Sequence, residues 1–379
     1  MELEQTRKKT HIPNPAGVLC AAAFLALAAS LLAFPQEVKD SVGGSILYCL
    51  TVLTPSLFPF MALTSFAVDS GAGDVLGKPL GFLARYVFRL PGVCTVPILM
   101  SFLGGYPAGA RGASLLLEQN KITAEQAGRM MLFCVNPGVA FVVTFLGGSV
   151  LGSFQAGWLL FFAVTLAGLV LGFLSGLRSP APPKSGAKTV PACGSAVMRS
   201  VSDASSSVLK MCACIVLFAG FTAILHGSGL YQALVRLLSS TGLLGQMEAA
   251  ASLSFLIEVT GGVGDAARFQ VSPAFYAFGL AFGGLCVHLQ VFSFFPRFPA
   301  KKWKFFLFRF LHGFLSAGMC LLLLRLLPGA AISASASVGS SGPAYGGLSG
   351  TLAGGLSLLL MCMAFLLITT KKGSRGDCE

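Results

Sequence analysis

The chain has 379 residues, of which 55% are hydrophobic and 11% charged, with a mean hydropathy of +0.80. Those values exclude a soluble domain of this length and specify an all-α polytopic membrane protein seated in the lipid bilayer. The net charge of +12 sits in short gaps between apolar runs, so it marks cytoplasmic loops, and no nucleic-acid partner is expected.

Residues 1–15 are polar and basic (Arg7, Lys8, Lys9) and precede an uncharged run over 16–34. A signal peptide has this charge order, but 19 unbroken apolar residues suit a retained first helix. Residues 36–40 read as a polar turn. A second span over 45–68 carries Pro55 and Pro59, which remove helix hydrogen bonds and kink or unwind it. Within 78–90, Arg85 and Arg89 fall four apart, on one face of an interfacial helix.

Residues 92–117 are too long for a loop and too broken, at Gly104, Gly105, Pro107 and Gly109, for one spanning helix. Each arm of about 12 residues gives about 18 Å of helix against a hydrocarbon core of about 30 Å. The segment is therefore expected to enter the membrane, turn midway and leave on the same side. Backbone of that kind is tolerated only where protein covers it or where it lines a polar cavity.

Residues 118–129 read as a water-facing helix opened by a capping box, Thr123 with Gln126. A third span, 130–151, is broken at Asn136-Pro137-Gly138, and a fourth, 158–177, is clean. Residues 178–203 form a basic linker with four prolines. A fifth span (204–225), a short amphipathic piece (230–238), a second re-entrant hairpin (249–269) and a sixth span (273–295, with Gly283-Gly284) follow. Arg297, Lys301, Lys302, Lys304 and Arg309 crowd the next turn. Spans seven (305–327) and eight (351–369) flank an uncharged Gly/Ser loop, and Lys371, Lys372 and Arg375 close the chain.

The two hairpins open with Ser101-Phe-Leu and Ser254-Phe-Leu and close at Arg111 and Arg268. Asn136 follows Ser101 by 35 residues and His288 follows Ser254 by 34. The chain thus divides into a tail and first helix (1–44), a first repeat (45–177), the linker (178–203), a second repeat (204–327) and a terminal segment (328–379). With both termini cytoplasmic, every strongly basic stretch falls on one side and the halves have opposite orientation. About eight transmembrane helices plus two re-entrant helical hairpins in an inverted repeat are the architecture of a secondary transporter.

Glu258 lies in an apolar stretch, where a carboxylate costs about 2.5 to 3.5 kcal/mol on insertion scales. It serves either proton coupling or ligand contact, or it is paired with Arg268 at the hairpin mouth. Gly105, Tyr106, Asn136, Thr260, His288 and Gln290 join it as candidate substrate contacts; for Asn136 and His288 interhelical hydrogen bonding stands equally open. Arg111 and Arg268 are either partners for an anionic substrate or anchors at the hairpin bases. His226 and His312 are expected to be uninvolved. The coupling ion, H+ or Na+, stays open, and Gly-rich faces permit a homo-oligomer without demanding one.

Eleven cysteines lie mostly within apolar runs, without Cys-x-x-Cys spacing or a Cys/His cluster, so free thiols and no metal or cofactor are expected. Gly262-Val-Gly-Asp-Ala-Ala mimics a dinucleotide fingerprint but lacks a preceding strand, and Ser207-Val-Leu-Lys210 lacks the companion motifs of penicillin-recognising enzymes. No nucleophile, base and orienting group stand together, which argues against an enzyme.

Gly-Gly-Tyr-Pro-Ala-Gly-Ala (104–110), Phe-Cys-Val-Asn-Pro (133–137), Glu-Val-Thr-Gly-Gly (258–262) and Phe-Gly-Gly-Leu-Cys-Val-His-Leu-Gln (282–290) occur in an order that resembles the YlbJ-type sporulation integral membrane proteins. The resemblance covers about residues 45–327. It implies two nucleoside-recognition Gate units, distantly similar to concentrative nucleoside transporters, and movement of dipicolinic acid across the outer forespore membrane. The amide-rich nucleoside-binding hairpin of the concentrative transporters is missing, which makes nucleosides the weaker alternative. A non-transporting sporulation scaffold is the other.

Overall fold

The structure, a computed structural model, describes residues 15–70, 81–177, 179 and 193–327. The N-terminal tail, much of the linker, the Gly/Ser loop, the eighth span and the basic tail lie outside the described residues.

Among the described residues all regular structure is helical, and five helices are long and apolar enough to cross a membrane. α1 is Pro15–Ala33. α2 (Pro35–Asp69) runs unbroken through the residues read as a polar turn, so that expectation is corrected. Pro35 stands in the helix's first turn, where its missing N–H costs nothing, and the chain bends at Phe34 instead. Ahead of Pro55 the helix widens into a π-helical turn, Cys49–Leu53, in which the Thr54 N–H bonds the carbonyl of Cys49. The wider turn relieves the clash of the proline ring with the preceding carbonyls.

Of the expected interfacial helix, residues 78–80 lie outside the described residues, 81–82 are α-helical and the chain runs on into a π-helical turn, Leu83–Val87. Arg89 lies beyond it, with φ of 50°, and bonds the carbonyls of Leu177 and Ser179, so it does not share a helical face with Arg85. α3 (Thr95–Leu103) and α4 (Tyr106–Glu118) pack against each other as a fold-back hairpin. α5 (Ala124–Phe133) opens on the expected capping box, Gln126 N–H to Thr123 Oγ1 at 3.2 Å and Thr123 N–H to Gln126 Oε1 at 2.9 Å. It is no free water-facing helix, because Ala127, Met130, Met131 and Phe133 are buried. The chain breaks at residues 134–138 and resumes as a π-helix, α6 (Ala140–Val150), followed by α7 (Phe154–Gly176).

α8 (Cys193–Gly227) begins inside the stretch read as linker, so the helix is longer and the linker shorter than expected. α9 (Leu230–Ser239) leads to a second fold-back hairpin, α10 (Gln246–Ile257) and α11 (Val259–Arg268). α12 (Pro273–Phe282) and α13 (Gly284–Ser293) form one broken helix, and α14 (Lys302–Leu326) ends the described chain.

α14 shows how a helix sorts its faces without water. Leu307, Leu311, Phe314, Leu321 and Leu322 are exposed, whereas Phe305, Arg309, His312, Gly313, Ser316 and Cys320 are buried at helical spacing. The apolar residues face outward, as lipid requires, and the polar and small ones face the protein. Arg309 is therefore no part of a solvated five-charge turn; Arg297, Lys301, Lys302 and Lys304 keep that place.

Each hairpin tip is pressed against the break of the helix that follows it. A β-carbon on Gly138 would stand 3.0 Å from the Gly105 nitrogen and the Leu103 carbonyl oxygen, and one on Gly284 would stand 2.8 Å from the Phe255 carbonyl oxygen. Gly284 also holds φ of 76°. Gly284→Ala therefore adds backbone strain of about 1–2 kcal/mol to a clash that cannot relax through a side chain. It should lower the melting temperature in detergent by several degrees, while Gly264→Ala, with nothing within 4 Å, should leave it unchanged or raise it. Equal melting for both would contradict the tip-to-break contact.

Candidate functional site

The two hairpin tips meet at one small cavity of about 40 Å³. Gly105, Tyr106 and Pro107 line it from the first tip, Glu258, Val259 and Thr260 from the second, Gly138 and Phe141 from the start of α6, and Val287 and Gln290 from α13. At three of these places the lining residues lie at or near the N-terminal end of a half-helix, α4, α11 and α6, whereas α13 lines the cavity with its middle and last turn. N-terminal ends carry a partial positive charge, so they bias this largely apolar cavity toward an anionic or hydrogen-bond-accepting group.

Glu258 makes the second turn. It adopts extended backbone, φ −152° and ψ 132°, between α10 and α11, and its carboxylate accepts the Gly261 N–H at 2.8 Å and the Thr260 hydroxyl. The hairpin therefore breaks at Glu258 and not at the glycines after it. An acidic side chain at a helix N-terminus is stabilised by both hydrogen bonding and the helix dipole.

A larger vestibule of about 420 Å³ adjoins this cavity and shares Ile215, Glu258 and Thr260 with it. α2 contributes Glu37, Ser41 and Ser45, four residues apart and so on one face; α8 contributes Ala219, Thr222 and His226. Ser254 and Asp265 line it from the hairpin, with the Ser254 hydroxyl donating to Asp265 and the Tyr231 hydroxyl 3.2 Å from the same carboxylate oxygen. The His226 ring stacks on Tyr231 at 3.9 Å between centroids. Among the described residues, three carboxylates and no lysine or arginine face this vestibule.

Of the residues expected at the site, Gly105, Tyr106, Glu258, Thr260 and Gln290 come together at the tip cavity. Asn136 and His288 do not line it. Asn136 Nδ2 donates to the Phe133 carbonyl at 2.7 Å, and His288 Nε2 lies 2.9 Å from the Phe282 carbonyl, inside a cage of Phe282, Phe305 and Phe306. Both side chains satisfy carbonyls freed by the helix breaks. Arg111 pairs with Glu118 at 3.0 Å and Asp203 at 3.1 Å, tying α4 to α8, and Arg268 is exposed at the end of α11; neither lines the tip cavity or the vestibule.

Two features escape a linear reading. Arg309 is fully buried and donates to the carbonyls of Leu132, Val135 and Ala281. Its signal was the polar stripe Arg309, His312, Ser316 at spacings of three and four, which in a lipid-facing helix points inward. The second is the Glu37-Ser41-Ser45 row, hidden because 36–40 reads as a turn.

Outward-facing apolar surfaces, broken helices and five helices long and apolar enough to cross a membrane define, among the described residues, an all-helical, multi-pass membrane protein. Over 138 residues the chain is 30% identical to the sporulation integral membrane protein YlbJ of Bacillus subtilis (strain 168). That match covers 36% of this chain and 33% of the relative, so the chain spans about a third of the relative's length. The similarity bears out the resemblance to YlbJ-type proteins over about a third of the chain. No family model matches the chain. No solved structure matches it either.

The capping role of Glu258 is separable from its charge. Glu258→Gln keeps an oxygen for the Gly261 N–H and should melt close to the wild type, whereas Glu258→Ala should lose about 0.5–2 kcal/mol in thermal unfolding. Wild-type stability in Glu258→Ala would show that the cap does not hold the tip.

Proposed function

We propose that the chain is a secondary membrane transporter for a small organic anion, working by alternating access with the tip cavity as its substrate site. The observation that carries this reading is the meeting of both hairpin tips, with three half-helix N-termini, at one cavity. In this reading eight transmembrane helices and two re-entrant hairpins form two inverted halves, and both termini are cytoplasmic. The order long helix, fold-back hairpin, broken helix, unbroken helix occurs in α2 to α7 and again in α8 to α14, which supports it. So does the packing of α2 on α8 and of α7 on α14, like elements meeting like.

The similarity to YlbJ supports a part in endospore formation at the outer forespore membrane, with dipicolinic acid as cargo. Gly105, Tyr106, Glu258, Thr260 and Gln290 hold the substrate; Asn136 and His288 shape the site by holding the breaks. The carboxylates of the vestibule oppose a bare dianion. The acid therefore passes as its protonated form or together with a cation, H+ or Na+, and the vestibule is where that coupling occurs. The same acidic lining favours a second reading, a neutral nucleoside-like solute.

Dipicolinate uptake into proteoliposomes tests the assignment. Glu258→Gln and Gln290→Ala should each lower uptake per folded molecule about tenfold, equivalent to about 1.4 kcal/mol. Asn136→Ala and His288→Ala should instead lower the yield of folded protein. Uptake at the wild-type rate in Glu258→Gln and Gln290→Ala would remove the site, and displacement of dipicolinate by equimolar uridine would favour the nucleoside reading.

A further inference from the structure

Arg309 is a wholly buried cation in a spanning helix, and among the described residues its bonded partners are main-chain carbonyls and no carboxylate. Nη2 donates to Leu132 at 2.7 Å, and Nη1 donates to Val135 and, at 3.4 Å, to Ala281. Leu132 and Val135 flank the C-terminal end of α5, and Ala281 lies in the last turn of α12. The guanidinium thus joins the breaks of both halves of the molecule.

Hydrogen bonding by itself does not call for a charge here. Asn136 and His288 serve the neighbouring carbonyls of Phe133 and Phe282 as amide and imidazole, and a buried charge at membrane depth is far more costly than either. What the charge adds follows from polarity. α5 and α12 turn their negative, C-terminal ends toward Arg309, while α4, α6 and α11 turn positive, N-terminal ends toward the tip cavity.

Tyr106 connects the two places. Its ring lines the cavity, and its hydroxyl donates at 2.6 Å to the carbonyl of Leu280, the residue before Ala281. Arg309 accordingly stands one side chain behind the cavity wall, in surroundings of low dielectric where a charge is felt at a distance.

We propose that Arg309 sets the charge selectivity of the tip cavity: it neutralises the negative ends of α5 and α12 and places a positive charge behind Tyr106, so that the cavity holds a carboxylate although Glu258 stands in its wall. This rests on the transporter reading for the identity of the substrate site. Arg309 touches no substrate; it acts through helix ends and through Tyr106, as a positioning and specificity-determining residue.

The test compares equilibrium binding of radiolabelled dipicolinate with that of its uncharged analogue, pyridine-2,6-dicarboxamide. Full-length wild type, Arg309→Gln and Arg309→Lys are measured in detergent, and uptake of both probes is followed in phosphatidylglycerol-containing vesicles. The wild type should prefer the dicarboxylate. Arg309→Gln should shift the binding ratio about tenfold toward the diamide, and Arg309→Lys, with the charge but not the fork, should keep the preference at a lower melting temperature. A purely structural role would lower binding of both probes together, and an unchanged ratio in Arg309→Gln overturns the inference. Should Arg309→Gln not fold, loss of preference in folded Arg309→Lys overturns it equally. Binding of dicarboxylate by the wild type without uptake removes the transport reading and leaves Arg309 standing, whereas wild type that binds neither probe, or prefers the diamide, removes the Arg309 inference.

Discussion

A helix interrupted inside a bilayer frees carbonyls that water cannot reach, and this protein meets that constraint with side chains aimed at the breaks. Around the end of α5, Leu132 and Val135 are taken by Arg309 and Phe133 by Asn136; at the end of α12, Leu280 is taken by Tyr106, Ala281 by Arg309 and Phe282 by His288. These residues come from elements far apart in sequence. The breaks are therefore stable only when the halves are assembled, which ties local geometry to the global fold.

The consequence for the site is directional. With C-terminal ends committed to buried donors, the N-terminal ends of α4, α6 and α11 are left to face the tip cavity. Glu258 occupies one of them as an intrinsic cap, so the second tip already carries the kind of group, a carboxylate on a helix N-terminus, that the cavity is polarised to accept. Close glycine contacts, Gly105 with Gly138 and Gly284 with the Phe255 carbonyl, bring backbone to backbone at both tips and leave little room for a tip to shift without its break.

Much of this was legible in the chain. Apolar length located α7, α8 and α14; Thr123 and Gln126 located the start of α5; Gly104-Gly105, Asn136-Pro137-Gly138 and Gly283-Gly284 located three breaks. The fourth break fell at Glu258 because a capping carboxylate ends a helix as effectively as glycine, a signal that the neighbouring Gly261-Gly262 masked. Residues 36–40 read as a turn because polarity in a membrane protein suggests a loop in water, whereas here Glu37 stands in a continuous helix and lines the mouth of an open vestibule. Asn136 and His288 were visible as unusual, but which atoms they would meet depends on tertiary approach. Arg309 was counted with the surface cations beside it in sequence, although its place in the inward stripe of α14 separates it from them.

The account stands on the approach of two hairpin tips that are more than 150 residues apart in the chain. Cysteines introduced together at Pro107 and Thr260, treated in native membranes with a short bifunctional maleimide, measure that approach directly. An intramolecular cross-link in the double variant, absent from either single variant, is the expected result. Full modification of both thiols without a cross-link would place the tips in separate surroundings and contradict the shared cavity.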